Sequence, residues 1–103
     1  MDYNGVYKTL REIEADSDIE QIDENDRPEI VQGALRRLED VAGWLEQRAG
    51  AMSDPDARRE DERYLAQMRA ALDDVRAHMN TGTDEVWDAV REAVNAADRA
   101  LAD

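Results

Sequence analysis

Ile30-Val31-Gln32-Gly33-Ala34-Leu35-Arg36-Arg37-Leu38-Glu39-Asp40-Val41-Ala42-Gly43-Trp44-Leu45-Glu46-Gln47-Arg48-Ala49 decides the fold class. Val31, Leu35, Leu38, Ala42, Leu45, Ala49 and, just beyond, Met52 follow one another in steps of four and three. A repeat of period 3.5 is a helix that packs along its length against neighbours at a shallow angle. Ile30, Ala34, Val41 and Trp44 add a second apolar edge beside it. Gly33 and Gly43 weaken the helix, and the pattern assigns them to a close approach of a neighbouring backbone. Asp26 stands where an N-cap belongs, and Pro28 suits a first turn because its missing N–H has no helical partner there.

Working outward, Gly50 and Ser53-Asp54-Pro55 end this helix and open another, with Asp54 as cap and Pro55 at its first position. The new helix begins with a wholly polar run, Arg58-Arg59-Glu60-Asp61-Glu62-Arg63. Its apolar line starts only at Leu65 and continues through Met68, Leu72, Val75 and Met79, flanked by Tyr64 and Ala71. Asn80-Thr81-Gly82 is a stop signal, and Thr83 caps the last helix. There Trp87, Val90, Val94, Ala97 and Leu101 make the stripe, widened by Val86, Ala93 and Ala100. On the N-terminal side a shorter helix is expected from Tyr3 to Ala15, with Tyr3, Val6, Tyr7, Leu10 and Ile13 on one face. Ile19 and Ile22 fall out of that phase. Ser17 and Glu20 have the spacing of a capping box for a further turn, and Asp23 to Asp26 read as a loop. The expectation is an all-α antiparallel bundle of three long helices, with a short N-terminal helix laid across them, in one domain spanning residues 1–103.

The chain has 103 residues, 26 acidic and 13 basic, for a formal net charge of −13. Residues 1–26 hold nine acids and two bases, so more than half of the net charge lies in the first quarter. Glu12, Glu14, Asp16, Asp18, Glu20, Asp23, Glu24 and Asp26 form a run with no base among them, interleaved with Ile13, Ile19 and Ile22. Such a run repels itself, so it suits either a solvated arm or a surface for a basic partner. Apolar anchors among the acids favour the partner. Of the bases only Lys8 is lysine. A Lys-poor, acid-rich chain also fits adaptation to high salt, although the charge-neutral stretch 27–53 fits that less well.

Chemistry is excluded more readily than assigned. Without cysteine there is no disulfide, thiolate metal site or thiol nucleophile. His78 is the only histidine, so no catalytic pairing of imidazoles is available, and its place beside Val75 and Met79 is that of a boundary residue near a helix end. Asp74, four residues earlier, makes at most a two-ligand metal site. Residues 16–27 resemble a calcium loop at Asp16, Asp18 and Glu20. They fail at its two discriminating places, which hold Gln21 where glycine belongs and Arg27 where glutamate belongs. No phosphate-binding glycine loop is present, so neither cofactor nor metal nor catalytic residue is expected. Arg36-Arg37 and Arg58-Arg59 are each countered by nearby acids, with Asp54 and Arg58 at ion-pair spacing, and the overall sign opposes direct nucleic-acid binding. The N-terminus lacks the basic start and apolar stretch of a signal peptide, and no run reaches membrane-span length, so a cytoplasmic protein is expected.

Helix-borne acids three and four residues apart stand about 5–6 Å from one another, which approximates a row of phosphates. In size, charge and helical content the chain resembles the small DNA-mimic proteins of phages and mobile elements, among them anti-CRISPR proteins and restriction inhibitors. The resemblance is one of composition over the whole chain, carries no motif and transfers no residue. It implies a non-enzymatic inhibitor; the charge run itself then makes the eight N-terminal carboxylates the expected contact with the basic groove of a nucleic-acid-binding protein or complex, with Tyr3, Tyr7 or Trp44, where exposed, as an apolar anchor. The alternative is a structural or regulatory helical module, a homodimer or a subunit of an assembly, in which acidity serves solubility.

Overall fold

The computed structural model describes residues 2–16, 26–79 and 84–102. They form four helices: α1 (Tyr3–Asp16), α2 (Arg27–Ala51), α3 (Pro55–His78) and α4 (Asp84–Ala102). Among the described residues there is no strand, and no helix is long and apolar enough to cross a membrane. The Ser17–Glu20 capping box, the Asn80-Thr81-Gly82 stop and the Thr83 cap lie outside the described residues.

The period-3.5 lines become the core. Val31, Leu35, Leu38, Ala42, Leu45 and Ala49 of α2 are buried, with Ala34 and Val41 beside them, while Ile30 and Trp44 pack half-buried at the margin. On α3 the buried line is Leu65, Met68, Leu72 and Val75, joined by Ala71. On α4 the whole expected stripe is buried, and Ala89 and Ala96 widen it to about half the helix surface. Alanine there lets α3 and α4 pack more extensively than any other pair.

Polar links between helices give their directions. Arg69 of α3 donates to Glu46 of α2 at 2.6 Å, and Arg76 donates to Glu39 at 2.9 Å. One helix advances seven residues as the other retreats seven, so α2 and α3 are antiparallel. The Arg99–Gln67 and His78–Glu85 contacts set α4 antiparallel to α3 in the same way. Each exposed ion pair contributes only about 0–1 kcal/mol, so these links fix register more than they add stability.

The N-terminal helix is not laid across all three long helices. α1 sits in the groove between α2 and α4 and does not touch α3. A two-walled groove covers only a narrow stripe, so Val6, Leu10 and Ile13 are buried while Tyr3 and Tyr7, expected on the same face, are left half exposed. Polar ties complete the docking. Tyr3 Oη donates to the carbonyl of Leu101 at 3.3 Å, Arg11 binds Asp98, and Arg37 of α2 binds Asp16 at 3.2 Å.

Two local expectations are corrected. Asp26 precedes α2 but makes no side-chain capping bond. Its backbone is already helical, at φ −92° and ψ −13°, whereas capping geometry needs the extended region, and Pro28 removes one of the N–H groups a cap would serve. Asp54 does cap α3, in extended backbone and accepting from the Asp56 N–H at 3.1 Å. Nor do Gly33 and Gly43 admit a neighbouring backbone, because a methyl group at either would meet nothing within 4 Å. Both sit in mid-helix with only the entropic cost of glycine. Gly33→Ala and Gly43→Ala are therefore each expected to stabilise the protein by about 0.5–1 kcal/mol in thermal or denaturant unfolding.

Candidate functional site

Of the eight N-terminal carboxylates, Asp18, Glu20, Asp23 and Glu24 lie outside the described residues, as does most of the calcium-like loop. Glu12, Glu14, Asp16 and Asp26 are all exposed. They do not form one uncompensated face. Glu14 is bound by Arg11 at 3.1 Å and Asp16 by Arg37, so two of them serve as ties within and around α1. Glu12 points away from the groove on the outer side of the helix.

The arginines explain where negative charge is left over. Arg11 Nη2 reaches both oxygens of Asp98, at 2.6 and 2.5 Å. That hydrogen bond raises the guanidinium above its ordinary range against the opposing effect of burial, with the charges of Asp98 and Glu14 adding to it. Arg48 donates to the carbonyl of Ala100, and Arg69 and Arg76 clamp α2 to α3. Arg58 pairs with Glu62 at 3.1 Å rather than with Asp54, whose carbonyl receives the Arg58 backbone N–H. Most of the arginines thus hold joints between and along helices, whereas Arg36 and Arg59 stand exposed outside them. Among the described side chains every carboxylate except Asp61 and Asp98 is exposed, and these carboxylates occur on all four helices.

One concentration of acid was not evident from the chain order. Glu85, Asp88 and Glu92 share a face of α4, and they line a shallow hollow with Asp74 and His78 of α3. His78 Nδ1 lies 3.4 Å from Glu85 Oε2, and Arg91 is 3.5 Å from Asp88. His78 is the last residue of α3 and Glu85 lies in the first turn of α4, where a carboxylate complements the helix N-terminus. Among the described residues no group of three His, Asp or Glu side chains is arranged to hold a metal ion. The Asp74–His78 pair was visible as an i,i+4 spacing; only packing brings the α4 acids to it.

Sequence reading also missed Asp61, which is 3% exposed. It falls inside a polar run, yet it stands four residues before Leu65 and continues the line 65, 68, 72, 75 into the core. That register is the signal that would have flagged it. The aromatics divide clearly. Trp87 is 1% exposed, and Trp44 and Tyr64 are half-buried against Arg48 and Arg63 of their own helices. Tyr3 and Tyr7 are the exposed large side chains, at 48% and 49%.

No protein-family model matches the chain, and no curated protein or solved structure shows significant similarity to it.

Proposed function

We propose that this is a non-enzymatic acidic interaction protein that presents carboxylates to the basic, nucleic-acid-binding surface of a partner, as an inhibitor of the DNA-mimic kind. The observation that carries this reading is the arginine disposition. Eight of the twelve arginines hold joints between or along helices, while Glu12, Glu29, Asp40, Asp56, Asp74 and Glu92 stand outward on a chain of net charge −13. Carboxylates held on a rigid helical frame lose little freedom when a basic groove closes on them, and long-range attraction makes such encounters fast and salt-sensitive. Inhibition is competitive: the groove holds either nucleic acid or this protein.

The test is capture of a nucleic-acid-binding protein or complex that salt releases and duplex DNA displaces. Neutralising Asp16, Asp18, Glu20 and Asp23 together to Asn or Gln is expected to abolish capture and inhibition with helicity unchanged by circular dichroism. Inhibition that persists in the folded variant would sink the N-terminal acids as the contact surface. A second reading, a homodimeric or assembly-forming helical module with solubilising acid, is favoured by the spread of exposed carboxylates over all four helices. It predicts a partner, or a second copy, retained through high-salt washing.

A further inference from the structure

We propose that the edge of α1 carrying Tyr3 and Tyr7 is an aromatic anchor that takes guanidinium groups from an arginine-rich partner surface; this rests on the acidic-interaction reading above. The two rings are four residues apart on one helix, so they stand side by side. Both are about half exposed, unlike the other aromatics of the described chain. Neither is loose. The Tyr3 hydroxyl is held by the Leu101 carbonyl, and Tyr7 lies beneath Arg11, whose guanidinium is 5.0 Å from the ring centre and fixed in turn by Asp98 and Glu14. Held aromatic rings at a surface give contact area with little entropy to lose, the property of interface hot spots.

The occupant follows from charge and ring chemistry. A second copy would bring −13 against −13, so self-association through this edge is opposed. Asp2 just before α1 and Glu14 on it are exposed, Glu14 being shared with Arg11, and the ring faces themselves attract cations. Arginine suits the site better than lysine, because a weakly hydrated planar guanidinium can stack on a ring and still bond a carboxylate with its edge. The Arg11–Tyr7, Arg48–Trp44 and Arg63–Tyr64 contacts, at 5.0, 5.8 and 5.6 Å, are the same pairing inside this fold.

The experiment titrates an oligo-arginine peptide and an oligo-lysine peptide of equal length into the wild-type protein, Tyr3→Ala/Tyr7→Ala and Tyr3→Phe/Tyr7→Phe at low salt. Wild type is expected to prefer the arginine peptide by roughly fivefold, the gain of stacking on exposed rings. The Ala pair should bring the two peptides to near parity by weakening only the arginine peptide. The Phe pair, which keeps the rings and loses the Tyr3 hydroxyl tie, should retain the preference and shows that ring faces rather than α1 docking are responsible. An arginine preference that survives in the Ala pair, or is missing in wild type while both peptides bind, overturns the anchor and leaves the acidic reading standing. Failure of both peptides to bind wild type overturns both.

Discussion

Leu38→Asp is expected to leave the chain without a cooperative unfolding transition and with most of its helical circular dichroism lost at room temperature. Leu38 is fully buried near the middle of α2, in the core cluster shared by all four helices. Removing a leucine from such a place costs about 2–5 kcal/mol, and an unpaired buried carboxylate adds several more. A domain of this size has only about 5–15 kcal/mol in hand. The new charge also adds to an existing −13, so general repulsion works in the same direction. Leu38→Met, which conserves volume, should unfold cooperatively within about 1.5 kcal/mol of wild type. A native transition in Leu38→Asp would mean that the α2 line is not the centre of the core.

Trp87→Ala should be the most damaging of the purely apolar truncations, at about 3–5 kcal/mol, because the largest fully buried side chain leaves a hole that α4 cannot close. Trp87→Phe separates size from polarity. The indole Nε1 is buried and has no hydrogen-bond partner among the described residues. Phenylalanine removes that desolvated donor along with part of the volume, so the loss should be well below that of alanine. Denaturant midpoints for the two variants check the ordering, and equal losses would show that the N–H is satisfied in the folded protein.

Much of this fold was legible because α2, α3 and α4 carry heptad lines long enough for periodicity to outweigh local propensity. Each residue of the expected α4 stripe is buried. Periodicity names the face of a helix, not what lies across from it. It therefore could not show that α1 avoids α3, that Arg37 reaches Asp16 instead of its own Glu39 and Asp40, or that Glu85, Asp88 and Glu92 meet Asp74 and His78. Asp61 is charged and lies in a polar run, so only its register with Leu65 points to its burial. Tyr3 and Tyr7 share the helical spacing of Val6, Leu10 and Ile13, but the groove that receives α1 is too narrow to cover them. For the candidate site the acids were countable from the chain, but which of them are bound by arginine depends on interhelical geometry that no spacing encodes.

The tie between Tyr3 and Leu101 joins residues 98 positions apart, while the extensive α3–α4 contact joins neighbours in the chain. Contacts between neighbouring helices close short loops, and a contact across nearly the whole chain repays its loop entropy only after the intervening helices are in place. The α3–α4 hairpin is thus the natural nucleus, α2 adds to it, and α1 arrives last in a groove that does not exist until α2 and α4 lie side by side. A 14-residue helix is marginal alone in water, so α1 owes its helical state to that finished groove. On a ribosome α1 emerges before α2, α3 and α4, so it must wait for them before it has anywhere to dock.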